Sequence, residues 1–328
     1  MWGARGFIGR ALVAHLRATG WRVRALTRAL EGPPPSWGTE IEWIELARDR
    51  SQAFDRAVDG VSVVFNLAGS SGAVSSNRDP IESLESNCRL QLDFLAACAR
   101  AANPLHVVFA SSRLVYSPAG SVAVDEQSPV GPRSIYAAHK LCVEHYHQIA
   151  SQRGRISYTI CRISNPFGLD DGAPGKGYGF VNALIHRALN GDVITLFGGG
   201  RQLRDYIFID DVTAMLRLCA ECPAARNAML NLGYGASVTI GHAAHEIRHV
   251  LGDGPIEFRP WPAEYEAVES GDFVMNTSRA RAILGYSPRY DFSAGLRAVR
   301  DSYTPSLSKE ASTAARAAAA VATSPSHG

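Results

Sequence analysis

The sequence of 328 residues predicts an α/β fold, a doubly wound parallel sheet followed by a smaller C-terminal region, on three observations. Strand-like apolar runs alternate with helix-like amphipathic ones between residues 6 and 163, and strands joined through helices pair in parallel with both sheet faces covered. The opening stretch MWGARGFIGR places Gly3, Gly6 and Gly9 directly before a helix-like segment, the arrangement by which many such folds hold a dinucleotide pyrophosphate. After Asn165 the alternation breaks into Gly-rich loops and shorter elements, as expected of an inserted substrate region.

Residues 6–19 read as an amphipathic helix. The segment WRVRALT alternates like a strand, with Val23, Ala25 and Thr27 on one side. A Pro/Gly loop, EGPPPSWG, separates it from the strand IEWIEL. A helix near 51–59 leads to the strand VSVVFNLAG, and a long helix runs from Pro80 to about Ala102. LHVVFASS is a strand, the segment from Ser134 to about Arg153 a helix, and ISYTICRIS a strand. Residues 1–166, with return segments near 204–232, form the expected dinucleotide domain, and 167–303 mainly serve the substrate. The low-complexity stretch 304–328 is expected to be a disordered tail. A glycine loop of this type follows a buried strand, yet only Met1 and Trp2 precede Gly3. The first strand is therefore expected to be missing and the native start to lie upstream, with neighbouring strands left partly unpaired.

Composition narrows the function. Hydrophobic residues make up 46% and charged residues 20%, and the net charge is +2 with Lys and Arg scattered, which gives no nucleic-acid face. No apolar run reaches membrane-spanning length and no signal peptide is visible, so a cytoplasmic location is expected. Cys219 and Cys222 form a CxxC without a second pair, and His242, His245 and His249 share a helical face without a carboxylate or thiolate pattern. No metal is expected.

The segment SIYAAHK sets Tyr136 and Lys140 four residues apart, on one helical face. A free phenol has a pKa of about 10, and a neighbouring ammonium favours the phenolate. Tyr136 then takes a proton from a substrate hydroxyl as hydride leaves the carbon. FASSRLVYS ends the preceding strand and places Ser111 and Ser112 at its C-terminal end, where ligands bind in such sheets.

These motifs, in order GARGFIG, NLAG, ESNCRLQLDFLAACA, FASSRLVYS, YAAHK, RISNPFG, LFGGGRQLRDYIFIDDV, NLG and SRARAILGYSP, resemble the extended short-chain dehydrogenase/reductase family, the NAD(P)-dependent sugar epimerases and dehydratases, from Gly3 to about residue 300. The resemblance implies a Rossmann-type sheet with Tyr136 as acid/base, Lys140 as its pKa partner and ribose contact, and Ser112 as the aligned hydroxyl. It implies an NAD(P) site lined by Gly3, Arg5, Gly6, Phe7, Ile8, Gly9, Arg28, Leu67, Ala68, Gly69, Asn87, Tyr136 and Lys140. Ser112, Asn165 and Arg204 are then the contacts to a nucleotide-sugar substrate. The dehydratases carry an Asp-Glu pair after the serine, where this chain has Arg113 and Leu114. The sequence thus looks most like the UDP-glucose 4-epimerase group, which passes through a transient keto sugar.

Two departures stand out. Glu269 takes the place of an arginine that relatives often carry before Gly271-Asp272, and Ser117 takes the place of a glycine. Thr27 and Arg28 stand where NAD enzymes end the second strand with an Asp, and Arg5 lies inside the glycine loop. The two arginines favour NADP, whereas family habit favours NAD. An NADPH-dependent reductase of a keto sugar or other carbonyl is the alternative activity. A catalytically impaired binding protein is a third reading if the truncation is real. A homodimer is expected, paired through the helices at about 81–102 and 134–153, whose apolar positions include Leu92, Leu95, Leu141, Val143 and Ile149.

Overall fold

The computed structural model describes residues 1–28, 37, 41–46, 50–120, 122–169 and 179–303; the tail expected to be disordered lies outside the described residues. The N-terminal half runs α1 (Phe7–Ala18), β1 (Arg24–Arg28), β2 (Glu42–Leu46), α2 (Arg50–Val58), β3 (Val63–Asn66), α3 (Ala73–Arg78), α4 (Pro80–Leu84), α5 (Leu90–Arg100), β4 (Leu105–Ser112), β5 (Ala123–Val124), α6 (Ile135–Ser151) and β6 (Ile156–Ile163). The remainder runs β7 (Asn165–Phe167), α7 (Gly179–Leu189), β8 (Ile194–Phe197), β9 (Leu203–Phe208), α8 (Ile209–Glu221), β10 (Ala228–Leu232), β11 (Ser237–Thr239), α9 (Ile240–Leu251), β12 (Ile256–Arg259), α10 (Ala263–Glu266), β13 (Val274–Met275) and α11 (Ser278–Leu284).

Two parallel ladders, β2-β1 and β3-β4-β6-β10, make the main sheet. Trp2 joins them with parallel bridges to Leu26 of β1 and Asn66 of β3. Its N–H donates to the Phe65 carbonyl at 2.9 Å, and the Leu67 N–H donates to its carbonyl at 3.0 Å. Of the strand expected before the glycine loop only Met1–Gly3 are present, and these three residues reach backbone partners on both sides. A cavity of about 340 Å³ beside Met1 and Trp2 is lined by Arg22, Arg24, Ser62, Val64 and Phe65.

Consecutive residues of β4 reach opposite layers. Val108 packs in one core with Phe7, Leu12, Leu16 and Met215 from α1 and α8. Val107 packs in a second core with Phe54 and Phe94 from α2 and α5. Trp2 fills the second core, its ring 5.0 Å from Phe54 and 5.2 Å from Phe94. Burial on both faces also explains β1. Alternation along WRVRALT predicts one buried side, but Ala25, Leu26 and Thr27 are all buried, as a central parallel strand requires. Smaller sheets β7-β9-β11, β8-β12 and β5-β13 build the C-terminal region, while β10 returns to the main sheet beside β6.

The long helix expected from Pro80 is interrupted. Residues Glu85–Arg89 form a π-helical turn between α4 and α5, with Asn87 buried at its centre. The apolar positions on α5 and α6 also divide between two roles. Leu95 and Val143 are buried within this chain's own core, because those faces rest on the sheet. Leu92 (49% exposed) and Ile149 (61% exposed) face outward and flank a groove of about 240 Å³.

His147 of α6 lies under the sheet, stacked on Phe109 with ring centroids 4.7 Å apart. Its Nδ1 donates to the Val143 carbonyl at 2.9 Å, and its Nε2 is buried without a partner. Burial pushes its pKa down to about 4, so the unfolded chain binds this proton first on acidification. The contribution of neutral His147 is therefore lost as pH falls from about 6.5 toward 4, an effect of roughly 2 kcal/mol by pH 5. Buried Asp205, pushed up to about 6, acts with the opposite sign, so the effect is read as a difference between variants. Urea unfolding at pH 7 and pH 5 is expected to show that His147→Phe loses less stability on acidification than the wild type. Equal losses would remove His147 from the account.

Candidate functional site

The C-terminal ends of β3, β4 and β6 and the N-terminus of α1 meet at one cleft. Its lining includes Gly3, Gly6, Phe7, Ile8, Gly9, Leu67, Gly69, Ser112, Tyr136 and Lys140. The glycine loop is closed by a Gly6 N–H donating to the Gly3 carbonyl at 3.1 Å. A Cβ on Gly9 would lie 2.1 Å from the Gly3 carbonyl oxygen, so only glycine allows α1 to start this close to the loop. Gly69, on the opposite wall, has φ 137°, and a Cβ there would lie 2.3 Å from Oδ1 of Asn87. The π-turn brings Asn87 to that place. Its Nδ2 donates to the Ser70 carbonyl at 3.2 Å and to Ser70 Oγ at 3.0 Å, leaving Oδ1 buried and without a hydrogen-bond partner. A loop with glycines at its closest approaches, at a helix N-terminus, fits a dinucleotide. Ala68 is buried beside Gly69, Arg5 is half-buried on the loop, and Arg28 is the exposed last residue of β1. Thr27 beside it is buried, with Oγ1 unpartnered.

Helix α6 enters the site through satisfied N-terminal donors. Ser134 caps it by accepting from the Ala137 N–H at 3.2 Å, Asn77 accepts from Ile135 at 2.9 Å, and Ser76 accepts from Tyr136 at 2.9 Å. These bonds hold the first turn, and with it the Tyr136 side chain, at the cleft wall. Lys140 is one turn further on and buried. Its Nζ donates to the Ala110 carbonyl at 2.9 Å and sits 4.9 Å from the Phe109 ring and 5.8 Å from the Tyr136 ring. Burial pulls its pKa down to about 8, opposed by the negative charge of Glu144.

The two serines at the end of β4 separate in role. Ser111 donates to Glu144 Oε1 at 2.5 Å. Ser112 Oγ accepts from the Leu114 N–H at 3.2 Å, which leaves its own hydrogen for a group in the cleft. Glu144 also receives Arg162, with Nε to Oε1 at 3.0 Å and a terminal nitrogen to Oε2 at 2.6 Å. The Arg162 guanidinium lies 4.6 Å from the Tyr116 ring centroid. Sequence reasoning missed this buried pair. Its signal was a carboxylate one turn after Lys140 on α6 and an arginine inside an otherwise apolar strand.

Asn165 and Arg204 lie on the substrate side and are held by protein groups. Asn165 donates to the Asp205 carbonyl at 2.7 Å and accepts from Arg113 Nε at 3.0 Å. Arg204 pairs with Glu269 at 2.5 Å and donates to the Gly271 carbonyl. Glu269, which stands where relatives often carry an arginine, therefore partners the neighbouring cation. The histidines on α9 meet no metal-ligating cluster among the described residues.

A family model described as the NAD dependent epimerase/dehydratase family matches residues 1–233. A putative UDP-glucose 4-epimerase of Methanocaldococcus jannaschii is 25% identical over 90% of this chain and 95% of its own length. A UDP-glucose 4-epimerase of Mycolicibacterium smegmatis is 28% identical over 90% of this chain and 94% of its own. Among solved structures, MoeE5 in complex with UDP-glucuronic acid and NAD is 28% identical with a TM-score of 0.81, covering 93% of this chain and 98% of that one. The UDP-glucose 4-epimerase of Thermotoga maritima, solved with UDP-glucose, shares the fold at 22% identity and a TM-score of 0.82, covering 93% of this chain and 98% of that one.

Removing one charge of the buried pair leaves the other uncompensated. Glu144→Gln is expected to cost about 3–5 kcal/mol of stability, measured as a shift of the urea midpoint with unchanged m. A variant within 0.5 kcal/mol of the wild type would show that Arg162 finds another partner.

Proposed function

Because the chain belongs to the NAD dependent epimerase/dehydratase family, we propose that it is a nucleotide-sugar epimerase whose proton chemistry rests on Ser112, Tyr136 and Lys140. One observation carries this reading. These three side chains share a cleft with the glycine loop, while the two positions after Ser112 hold Arg113 and Leu114, neither of which is an acid. Elimination of water needs an acid and a base beyond the tyrosine. Inversion through a keto sugar needs only one group to take and return a single proton.

Gly3, Gly6, Gly9, Leu67, Ala68, Gly69, Asn87 and Lys140 would hold the nicotinamide dinucleotide. When bound, it supplies hydride acceptance and return at one sugar carbon. Tyr136 takes the proton of the hydroxyl on that carbon and gives it back once the ring has turned. The Lys140 ammonium stabilises the phenolate form of Tyr136. Ser112, already accepting from Leu114, donates its hydrogen to the same substrate oxygen. Arg5 and Arg28, with Thr27 in place of the usual acid, favour a 2′-phosphate and hence NADP. Leu92 and Ile149 favour a two-fold pairing of α5 and α6 with a second copy. No helix among the described residues is long and apolar enough to cross a membrane.

Incubation with UDP-glucose or a related UDP-hexose is expected to yield the epimer with no net absorbance change at 340 nm. Net oxidation of reduced cofactor would favour the reductase reading instead. Tyr136→Phe is expected to lower turnover by roughly two to four orders of magnitude with the fold intact by circular dichroism. A variant keeping most of its activity would refute the role of Tyr136.

Lys140 gives a pH dependence. Its ammonium is charged below about 8 and lost above it, so cofactor affinity is expected to weaken as pH rises through that value. Fluorescence titration of the reduced cofactor checks this, with Lys140→Met giving weaker and pH-independent binding.

A further inference from the structure

Arg113 follows Ser112 directly, at the start of the 3₁₀ turn that ends β4. Its side chain leans toward the C-terminal region and meets only neutral partners. Nε donates to Asn165 Oδ1 at 3.0 Å, one terminal nitrogen donates to Ser270 Oγ at 3.4 Å, and the guanidinium lies 5.0 Å from the Phe273 ring centroid. Among the described residues it forms no ion pair, although both neighbouring arginines do, Arg162 with Glu144 and Arg204 with Glu269. The carboxylates nearest in the fold are committed elsewhere. Glu269 is taken by Arg204 and the Gly271 N–H, and Asp205 by the N–H groups of Tyr234 and Gly235 at 3.0 and 2.7 Å. Desolvation and the positive charge of Arg204 push the Arg113 pKa down to about 9, against the more distant negative charges of Glu269 and Asp205, which leaves it charged at neutral pH. A desolvated cation with no carboxylate in contact is costly, and a ligand that supplies one lowers that cost.

We propose that Arg113 is a specificity-determining residue that receives a carboxylate carried by the sugar ring, so that the preferred substrate is a nucleoside-diphosphate hexuronic acid. This rests on the nucleotide-sugar reading above. The placement selects the sugar over the diphosphate. Ser112 faces the reacting hydroxyl, and Arg113 is tied to Asn165, whose chain neighbours Ser164 and Pro166 line the cleft together with Ser112, so the guanidinium stands beside the same ring. If the reacting carbon is C4, the C6 carboxylate of a hexuronic acid branches from the adjacent carbon. The planar guanidinium, lying against Phe273 and tied at Nε and at one terminal nitrogen, keeps its second terminal nitrogen as a donor for a carboxylate oxygen.

The test is calorimetric binding of UDP-glucuronic acid and UDP-glucose to the full chain with cofactor, for wild type, Arg113→Gln and Arg113→Lys. Wild type is expected to bind the uronate at least about 10-fold more tightly, and Arg113→Gln to collapse the uronate-to-neutral affinity ratio by about 10-fold or more, to near unity. Arg113→Lys, which keeps the charge but not the fork, is expected to fall between. Circular dichroism and melting temperature establish that the variants fold, and Arg113→Lys keeps the test decisive if Arg113→Gln does not. An unchanged ratio overturns the proposal, as does an equal loss for both ligands, which assigns Arg113 to the diphosphate or to packing. The activity assay separates the two readings. Binding selectivity without epimerisation refutes the proposed function alone, and epimerisation of neutral sugars with no selectivity for the uronate refutes this proposal alone.

Discussion

The buried pair between Glu144 and Arg162 is the interaction on which the site geometry depends. The two side chains are 1% and 3% exposed and meet through two parallel bonds, so the pair fixes an orientation as well as a distance. Apolar packing holds α6 against the sheet but tolerates rotation about its own axis. A forked ion pair between α6 and β6, with Ser111 of β4 on the same carboxylate, does not. Lys140 and Tyr136 stand one and two turns before Glu144 on the helix, so the rotation set at Glu144 decides where both point. The same carboxylate also keeps negative charge near Lys140, against the burial that would strip its proton. One acidic residue thereby sets both position and charge.

Compensation of charge divides the arginines of the site. Arg162 is neutralised inside the chain and is structural. Arg204 is neutralised by Glu269, a residue whose sign looks wrong for anion binding until its partner is seen. Arg113 is held only by an amide, a hydroxyl and a ring. The three lie within one region of the fold, yet only the third keeps a charge to offer. Their difference follows from which carboxylate each can reach, not from how deeply each is buried.

Much of this was legible in the sequence, and the reasons are physical. The glycine loop, the Tyr136–Lys140 spacing and the serine at the end of β4 are local patterns, and local geometry fixes what they do. The boundaries of α1, α6, β4 and β6 follow from periodicity and from caps such as Ser134. What stayed hidden required partners distant in sequence. Nothing near Met1 indicated that Trp2 would bridge Leu26 and Asn66, because those partners lie 24 and 64 positions further along the chain. Likewise Leu95 and Val143 look like the same apolar stripe as Leu92 and Ile149, and only the placement of the sheet sorts them into inner and outer. Arg113 was noticed for the acid it displaced; its lack of an ion pair emerges only when Glu269 and Asp205 are seen to be bonded elsewhere.

The π-turn at Glu85–Arg89 acts as a phase shifter. One additional residue per turn rotates everything beyond it by roughly 100° about the helix axis. The segment before the turn buries Ser83, the turn itself sets Asn87 against Gly69, and the segment after it sends Phe94 into the core and leaves Leu92 outside. Two demands that no uninterrupted helix meets with these residues are met by one that changes its angular register halfway. Deleting a single residue there would leave the helix continuous and its composition nearly the same, but it would exchange which side chains are addressed to the cofactor, to the sheet and to the surface. The angular offset, more than the identity of any residue in α5, is what the chain has to preserve across this stretch.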